Sequence, residues 1–515
     1  REDLKSLLGT EPVLLLGREW QLRPGAVASR GWEQDRLAAL YALAKGGVPA
    51  VVATADGLMA RTLPKAALPP SAHLLKPEQP LDLPAFTEAL TAAGYARCQQ
   101  VEGVGQFAVR GGILDVFSPL MEKPVRCELF GDEIDSMGLF DPASQRRVQN
   151  VTEALILPCT EVLPHLAEGG LPGLADAMEA QAKRLRRRQG TEKIVETILS
   201  DAQQLRGGVL PGGLDRYLPL IHPQFTTALD YLDPTSLVFL CEGGRIDQRA
   251  KTTLLQLRQE ADTLMEAGCM AGKGADLLLS ENALYAALSD FPAVMMDALP
   301  TSRLPLKPRS LLHIDARQLS SYGGSLETAA ADMEHYRKSG SGVLVLCGGE
   351  TRAKNLLRIL EERGIPAALD LPGRAMPAPG EVRLTLGALS AGSEWPSLNL
   401  AILTEGQLLS VQRKRPARTP KESNRQKLQS YTDLKPGDLV VHVHHGIGRF
   451  AGIHRLPTDG VEKDYIKLDY AAGDCLYVPV TQLDMVSKYI GGGEDAQERT
   501  RLNKLGGTEW TKQKS

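Results

Sequence analysis

Aromatic side chains are scarce in this 515-residue chain, at 5% of all residues. Proteins that stack successive bases along a single nucleic-acid strand need many such rings, so the composition argues against an extended base-stacking platform. The seven cysteines stand singly, with no C-x-x-C pair among them. This spacing excludes a zinc ribbon and a disulfide framework, and it predicts a reducing, cytoplasmic location.

Neither sign of charge dominates, and long apolar runs are missing. The formal net charge is -3 with 23% charged residues, which limits any nucleic-acid contact to local patches. No apolar stretch approaches the roughly 20 residues that cross a bilayer, and the N-terminal sequence lacks the apolar segment of a signal peptide. We therefore expect a soluble, cytoplasmic protein that makes no membrane contacts, and we expect it to be a monomer.

Signatures of catalysis are missing as well. The nearest approach to a P-loop is GCMAGKG, which is one residue short between its glycines and has Gly274 where the magnesium-binding hydroxyl belongs. His442, His444 and His445 cluster without a carboxylate or cysteine at ligand spacing, which favours a structural or merely exposed group over a metal site. No G-x-S-x-G elbow or H-E-x-x-H helix occurs. The sequence predicts no cofactor, no metal and no catalytic residue.

The order of elements predicts an α/β domain that is interrupted by an inserted module. Residues 1–83 mix strands and helices in the manner of an open α/β sheet, and this pattern resumes over residues 161–306. Between them, Asp82 and Pro84 open a helix that Gly94 closes, and residues 84–160 continue as an α+β module. Its strands are predicted at 97–101, 106–110, 113–117, 124–130 and 134–140, with short turns of Gly, Asp, Ser and Pro. The flanking segments are expected to be halves of one domain.

The rest of the chain predicts four further parts. Residues 310–410 combine apolar strands, such as GVLVLC at 342–347, with an amphipathic helix, which predicts a small α/β domain of unknown role. The apolar positions of the helix, at i, i+3, i+4 and i+7, are Ala353, Leu356, Leu357 and Leu360. Residues 411–430 are a basic linker, and residues 431–493 alternate in short strands that predict a small β-barrel. Residues 494–515 are polar and predict the start of a linker helix. The fold class is therefore multidomain α/β and α+β with a C-terminal small β-barrel.

One face of the inserted module has an unusual composition. Strand alternation turns Arg126 and Phe130 away from the apolar face, and Arg110 points the same way from an earlier strand. Two arginines beside a phenylalanine suit a protein-binding surface, because they combine apolar area with planar donors. The alternative from spacing alone is that Phe130 turns into the core and Arg110 pairs locally with Asp115.

The basic linker supplies a second binding hypothesis. Between positions 413 and 427 it carries seven basic residues and one acidic residue. As a tether beside double-stranded DNA, it would contact the phosphate backbone through Arg413, Lys414, Arg415 and Arg418. The alternative is a solvated, charged spacer, which the lack of interleaved aromatic side chains favours.

Two stretches carry a resemblance to a known family. GQFAVRGGILDVFSP followed by VRCELFGDEIDSMGLFDPASQRRV resembles a module shared by the repair helicase UvrB and the bacterial transcription-repair coupling factors. LKPGDLVVHVHHGIGRFAGI followed by EKDYIKLDYAAGDCLYVPVTQLDMVSKYIGG is similar to the RNA-polymerase-interacting, CarD-like domain of the coupling factors, which UvrB lacks. The resemblance covers essentially the whole chain and favours the N-terminal half of a coupling factor.

That resemblance implies the role of the inserted module. The surrounding UvrB-like, helicase-like α/β domain is expected to be degenerate and to have lost ATP binding. The module is expected to keep the surface that binds UvrA, the damage-recognition ATPase. Arg110, Arg126 and Phe130 are the implied contacts, which are the residues that strand alternation turns outward.

The resemblance also implies a contact with the β subunit of RNA polymerase. The C-terminal domain is expected to pair an edge strand with that subunit, with apolar and basic side chains around its first hairpin. Leu456 is the main implied contact, surrounded by Arg449, Ile453 and Arg455. For Ile453 the alternative is a place in the barrel core.

The ATPase motor of the family, with its ATP and magnesium, is expected to begin after Trp510. This chain is therefore expected not to be an enzyme, and the full protein is expected to contact double-stranded DNA mainly through that motor. Two other functions stay open. One is a UvrB-like, nucleotide-dependent DNA repair helicase subunit, and the other is a DNA-binding protein that acts through the basic linker.

Overall fold

A computed structural model describes most of the chain. The described residues are 1–23, 31–188, 190–271, 276–299, 306–319, 322, 325–371, 375–408, 425–427, 434, 436–442, 445–458, 461–479, 485–489 and 502–504. They form a mixed α/β protein with several separate sheets. The chain divides into two compact units, of which the first comprises Arg1–Val13, Val48–Val52 and Lys307–Thr419, and the second comprises Leu14–Gly47, Ala53–Leu306 and Pro420–Ser515.

The described residues form both helices and strands. The α-helices are α1 (Glu2–Leu8), α2 (Gly31–Lys45), α3 (Ala55–Met59), α4 (Leu83–Ala92), α5 (Gly170–Leu185), α6 (Glu192–Arg206), α7 (Leu218–Ile221), α8 (Gly243–Glu266), α9 (Glu281–Leu288), α10 (Leu326–Lys338), α11 (Glu350–Glu362) and α12 (Glu405–Leu408).

The strands are β1 (Val13–Leu15), β2 (Val51–Ala53), β3 (His73–Leu75), β4 (Ala96–Arg97), β5 (Gln106–Arg110), β6 (Ile113–Val116), β7 (Val125–Phe130), β8 (Glu133–Phe140), β9 (Arg147–Asn150), β10 (Ala154–Ile156), β11 (Val238–Cys241), β12 (Ala293–Met296), β13 (Arg317–Gln318), β14 (Gly342–Cys347), β15 (Ala367–Leu369), β16 (Val382–Leu386), β17 (Ser393–Trp395), β18 (Leu400–Thr404), β19 (Arg425–Lys427), β20 (Leu439–His442), β21 (Gly446–Thr458), β22 (Val461–Asp469), β23 (Cys475–Pro479) and β24 (Val486–Tyr489).

The first unit is built on a six-stranded sheet in the order β13-β17-β18-β14-β16-β15. Strand β14 pairs in parallel with β16 and β18, and β15 extends the parallel set. The sequence of β14, GVLVLC, is almost continuously apolar: Val343, Val345 and Cys347 on one face are buried in the core, and Leu344 and Leu346 on the other face are half-buried. Helix α11 packs on this sheet through a stripe of Ala353, Leu356 and Leu360, at the spacing predicted from the sequence.

Helix α1 belongs to this first unit because of polar contacts with the loop after β16. The Asp3 carboxylate accepts hydrogen bonds from the backbone N–H of Ser390 at 2.7 Å and from its hydroxyl at 2.6 Å. The Ser6 hydroxyl oxygen accepts one from the Ala388 N–H at 3.1 Å. The segment predicted as residues 1–83 is therefore divided between the two units.

In the second unit, residues on both sides of the inserted module share one core. Leu22 and Met59 precede the module, Leu174 and Leu284 follow it, and all four are buried in the same cluster. Helices α5, α6, α8 and α9 supply most of its apolar side chains. Side chains from the two flanking segments therefore stabilise each other.

A buried ionic network joins the end of the module to the chain that precedes it. The carboxylate of Glu161 lies 2.8 Å from Arg36 Nε and 3.3 Å from Arg18 Nη1, and the hydroxyl of Thr62 donates to it at 2.6 Å. Arg18 also contacts Asp215 at 2.7 Å. All of these groups are buried, so each arginine depends on its carboxylate for compensation of the lost hydration.

We predict that Glu161→Gln destabilises the second unit by about 3 to 5 kcal/mol, because it leaves Arg36 buried without its counter-ion. Urea unfolding followed by circular dichroism measures the change. The matched control is Glu179→Gln, which removes a carboxylate from an exposed ion pair with Arg206. Equal unfolding midpoints for the two variants would contradict the prediction.

The inserted module is a six-stranded sheet, β4-β5-β6-β7-β8-β9, covered on one face by α4. The predicted boundaries of α4 are confirmed, since the Asp82 carboxylate accepts from the Ala85 N–H at 3.0 Å and Gly94 follows the helix with a φ of +89°. Phe86 and Leu90 of the helix pack on the apolar face of the sheet. Four of the five predicted strands agree with β5 to β8 to within one residue at each end. The first was predicted over residues 97–101 but is confined to Ala96–Arg97, and β9 is added at the edge.

The C-terminal region forms a six-stranded antiparallel sheet in the order β19-β24-β20-β21-β22-β23. Its core contains Phe450, Ile466, Leu468 and Val478. Among the described strands, no pairing joins β19 to β23. Closure into a barrel therefore stays a prediction.

The described residues contain no helix that could cross a membrane and no group of metal ligands. No helix among them is both long enough and apolar enough to span a bilayer. Within the same residues, no three His, Cys, Asp or Glu side chains converge as metal ligands would. The rings of His442 and His445 stack at 4.8 Å, whereas His444 lies outside the described residues.

Candidate functional site

The predicted binding residues of the module lie on three adjacent antiparallel strands. Asp115 of β6 stands directly opposite Ala108 of β5 on one side and Arg126 of β7 on the other. Arg110 lies two residues beyond Ala108 and therefore on the same face of the sheet. This register brings both arginines to a single carboxylate.

The Asp115 carboxylate is fully buried and binds both arginines. Arg126 donates from Nε to Oδ1 at 2.7 Å and from Nη2 to Oδ2 at 2.8 Å, which is a bidentate pair. Arg110 donates from Nη2 to Oδ2 at 2.6 Å. The hydrogen bonds to Asp115 raise the pKa of the Arg126 guanidinium above its ordinary value. Asp115 therefore fixes the positions of both cations.

Two residues besides Asp115, Phe140 and Gln145, also hold the Arg126 side chain. Its guanidinium carbon lies 4.5 Å from the centroid of the Phe140 ring, within the range of a cation–π contact. Its Nη1 donates to the backbone carbonyl of Gln145 at 3.2 Å. The Arg126 side chain is only 16% exposed, against 45% for Arg110. Arg126 is therefore partly a structural residue, and Arg110 offers more of its surface to a partner.

Phe130 ends β7 and is 85% exposed. It stands opposite Glu133 across the turn formed by Gly131 and Asp132, and Gly131 takes a φ of +64° that favours glycine. The alternative that Phe130 turns into the core is therefore wrong. The other part of that alternative is confirmed, because Arg110 pairs with Asp115.

Sequence reasoning missed a second polar cluster on the same face. Arg147 of β9 lies 3.6 Å from the Glu128 carboxylate, and the Ser136 hydroxyl donates to that carboxylate at 3.0 Å. A Cβ at Gly138 would stand 2.0 Å from Arg147 Nε, so glycine leaves the space that the arginine fills. Gly138 within an otherwise regular strand pattern was the signal for this close approach.

We predict that Asp115→Asn lowers the free energy of unfolding of the module by about 2 to 4 kcal/mol, since it removes the counter-ion of two arginines at a buried position. Hydrogen exchange at β6 and β7 should accelerate in the variant. Glu128→Gln is the matched control, because its carboxylate is half exposed and lies 3.6 Å from Arg147. Unchanged exchange in Asp115→Asn would show that Asp115 does not fix these strands.

The C-terminal sheet offers a second candidate site along β21. Strand β20 pairs with β21 only from Gly446 to Arg449, whereas β22 pairs with it as far as Thr458. The backbone of Phe450 still bonds to Gly437 and Asp438, which precede β20. Beyond Phe450, the described part of β21 therefore pairs with the described strands on one side only. Ile453 lies in this part, stands opposite the buried Ile466 and is 41% exposed. Ile453 is thus an apolar residue at an open edge rather than a core residue.

The structure describes one of the other predicted residues of this region in full and only the backbones of two more. Arg449 is exposed and stands between Leu439 and Asp469. The backbones of Arg455 and Leu456 belong to β21 beyond the end of β20, and their side chains lie outside the described structure. Outside it too are all four linker residues predicted beside DNA: Arg413, Lys414, Arg415 and Arg418.

Two family models match the regions that contain these sites. Residues 74–161 match the UvrB interaction domain, and residues 434–490 match the CarD-like/TRCF RID domain. The first match contains Asp115 with its two arginines and Phe130, and the second contains β21. The two matches lie on the two stretches whose sequences carry the family resemblance.

The whole chain is similar to named bacterial proteins. It is 30% identical over 517 residues to the transcription-repair-coupling factor of Bacillus subtilis, which covers 100% of this chain and 43% of that relative. The factor of Staphylococcus haemolyticus is 31% identical over 86% of this chain and 37% of its own length. The factor of Staphylococcus aureus strain MRSA252 is 30% identical over 93% of this chain and 41% of its own length. The chain therefore spans less than half the length of these relatives.

Proposed function

We propose that this chain, which belongs to the transcription-repair-coupling factor family, is a two-ended adaptor in DNA repair. The inserted module binds UvrA, and the C-terminal sheet binds the β subunit of RNA polymerase. The two matched domains and the similarity along the whole of this chain support the general role. The single observation that carries the proposal is the exposed Phe130 beside two arginines fixed by a buried carboxylate.

The geometry of the module supports a different task for each of the three proposed UvrA contacts. Phe130 supplies apolar area that is uncovered in the free chain, and its burial by a partner is favourable. Arg110 keeps donors free for a planar acceptor, because Asp115 receives only its Nη2. Arg126 orients the surface and contributes an exposed edge. The surface is thus ordered before its partner arrives, which lowers the entropic cost of binding.

We predict that Phe130→Ala and Arg110→Ala each weaken UvrA binding at least about tenfold, as expected for central interface residues. Biolayer interferometry with immobilised UvrA measures the affinity. Phe130 is exposed, so the thermal unfolding midpoint of Phe130→Ala should stay within a degree or so of the parent chain. Arg110→Ala should lower the midpoint slightly, because the buried Asp115 then keeps only Arg126 as its cation. Arg126→Ala should weaken UvrA binding and also lower the thermal unfolding midpoint, because the buried Asp115 carboxylate loses its bidentate partner.

Matched controls come from the same module. Val148→Ala removes part of another exposed apolar side chain from its sheet, and Arg97→Ala removes an exposed arginine from β4. Neither should change UvrA affinity. Equal losses in the controls, or full affinity in both Phe130→Ala and Arg110→Ala, would show that the partner binds elsewhere.

The open edge of β21 supports the second contact. An unpaired strand edge presents free backbone donors and acceptors, and an incoming strand can satisfy them by extending the sheet. Ile453 at this edge would be covered by the added strand. Leu456 and Arg455 lie farther along the same strand, so the proposed polymerase contacts follow one edge, with Arg449 at its beginning.

We predict that Ile453→Asp weakens binding to RNA polymerase at least about tenfold, because it places a charge where an apolar contact forms. Leu456→Asp should have the same effect. Tyr477→Asp is the matched control, since Tyr477 is a similarly exposed side chain on the outermost strand β23. Co-elution with the polymerase on size-exclusion chromatography is the measurement. A loss confined to Tyr477→Asp would move the contact to the opposite edge.

A further inference from the structure

A run of cations lies between α5 and α6, away from both proposed protein-binding sites. The sequence KRLRRRQGTEK, residues 183 to 193, contains six basic residues and one acidic residue. The basic residues of this cluster, the α5–α6 basic patch, are Lys183, Arg184, Arg186, Arg187, Arg188 and Lys193. For a chain whose formal net charge is -3, this is a strong local concentration of positive charge.

Packing of the two helices turns the patch toward solvent. Helix α5 buries Leu174, Ala175, Met178 and Ala182, and α6 buries Ile194 and Ile198 against the same core. All six cations of the patch are exposed. Among the described residues, no carboxylate lies within 4.0 Å of any of them, so no ion pair there neutralises the patch.

Arg206, by contrast with the patch, is neutralised by ion pairs between the same two helices. Arg206, at the end of α6, lies 2.5 Å from Asp176 and 3.0 Å from Glu179 of α5. Favourable placement at a helix C-terminus accounts for Lys183 and Arg184, which stand in the last turn of α5. It does not account for Arg186, Arg187 and Arg188, which follow the helix.

The start of α6 adds hydrogen-bond donors beside these arginines. Its N-cap residue, Thr191, makes no side-chain cap. The Thr191 hydroxyl donates instead to the carbonyls of Leu185 at 2.7 Å and Arg188 at 2.9 Å, which fixes the turn between the helices. The N-cap side chain therefore accepts no hydrogen bond from the first amides of α6, which lie next to the arginines in the chain and can donate to an anion, although the first turn also carries Glu192.

We propose that the α5–α6 basic patch binds the phosphate backbone of double-stranded DNA. Several exposed guanidinium groups close together match the repeated phosphates of a duplex, and each bound phosphate releases condensed counter-ions. A lipid surface fits less well, because membrane-binding segments combine cations with exposed apolar side chains, and Leu185 of this run is packed against the core. Single-strand binding fits less well, since the run contains no aromatic residue.

The test measures binding of the whole chain to a fluorescently labelled 20-base-pair duplex across a series of salt concentrations. The triple variant Arg186→Gln, Arg187→Gln and Arg188→Gln should bind at least about tenfold more weakly, and the slope of log affinity against log salt should shrink by roughly 0.9 for each phosphate that the variant no longer neutralises. The matched control changes three exposed arginines that are ion-paired: Arg206→Gln, Arg249→Gln and Arg358→Gln. It removes the same charge and should keep the parent slope.

Each alternative outcome overturns the proposal. If the patch variant keeps the parent affinity and slope, DNA is bound elsewhere or not at all. If the control triple weakens binding as much as the patch triple, the effect is one of net charge alone. Tighter binding of a single-stranded RNA of the same length, or loss of phosphatidylserine vesicle binding with DNA binding intact, would assign the patch to another partner. Circular dichroism of each variant verifies the fold.

Discussion

The buried carboxylate of Glu161 is the group on which the second unit depends. It closes the inserted module, yet the groups that surround it, Arg18, Arg36 and Thr62, all come from the chain before the module. An insertion can interrupt a domain only if its exit is fixed close to its entry. Here the ion pairs and hydrogen bonds of Glu161 fix the exit of the module close to its entry. Because Glu161 is fully buried, a shift of the chain would leave a buried arginine without its counter-ion.

On the proposed binding face of the module, a buried carboxylate likewise fixes the positions of two arginines. Asp115 is buried beneath a face that also carries the exposed Phe130, and the two arginines it holds are those proposed to present donors to a partner. The alternation of β7 was enough to predict that Arg126 and Phe130 leave the apolar face. It could not show that Arg126 is largely covered, because Phe140 and Gln145 reach it from outside its own strand pair.

Elsewhere, prediction from the sequence succeeded where local chemistry dominates and failed where distant residues decide. The cap at Asp82, the stop at Gly94 and the apolar strand β14 follow from neighbouring residues and agree with the structure. The place of α1 in the first unit depends on Asp3 and Ser6 meeting a loop far along the chain, which no periodicity reveals. The free edge of β21 likewise depends on where β20 stops, and strand ends are poorly defined by sequence.

The two arginines on Asp115 share one negative charge, so the face they form has a much smaller net charge than the basic patch between α5 and α6. Long-range attraction to an oppositely charged partner grows with net charge and is screened by salt. Binding of a partner at the module is therefore expected to act at short range, through shape and directed donors, and to depend little on ionic strength. The proposed DNA binding at the patch is expected to act at longer range and to weaken as salt rises. A change in the ionic composition of the cell would then weaken one of the two proposed contacts and leave the other in place.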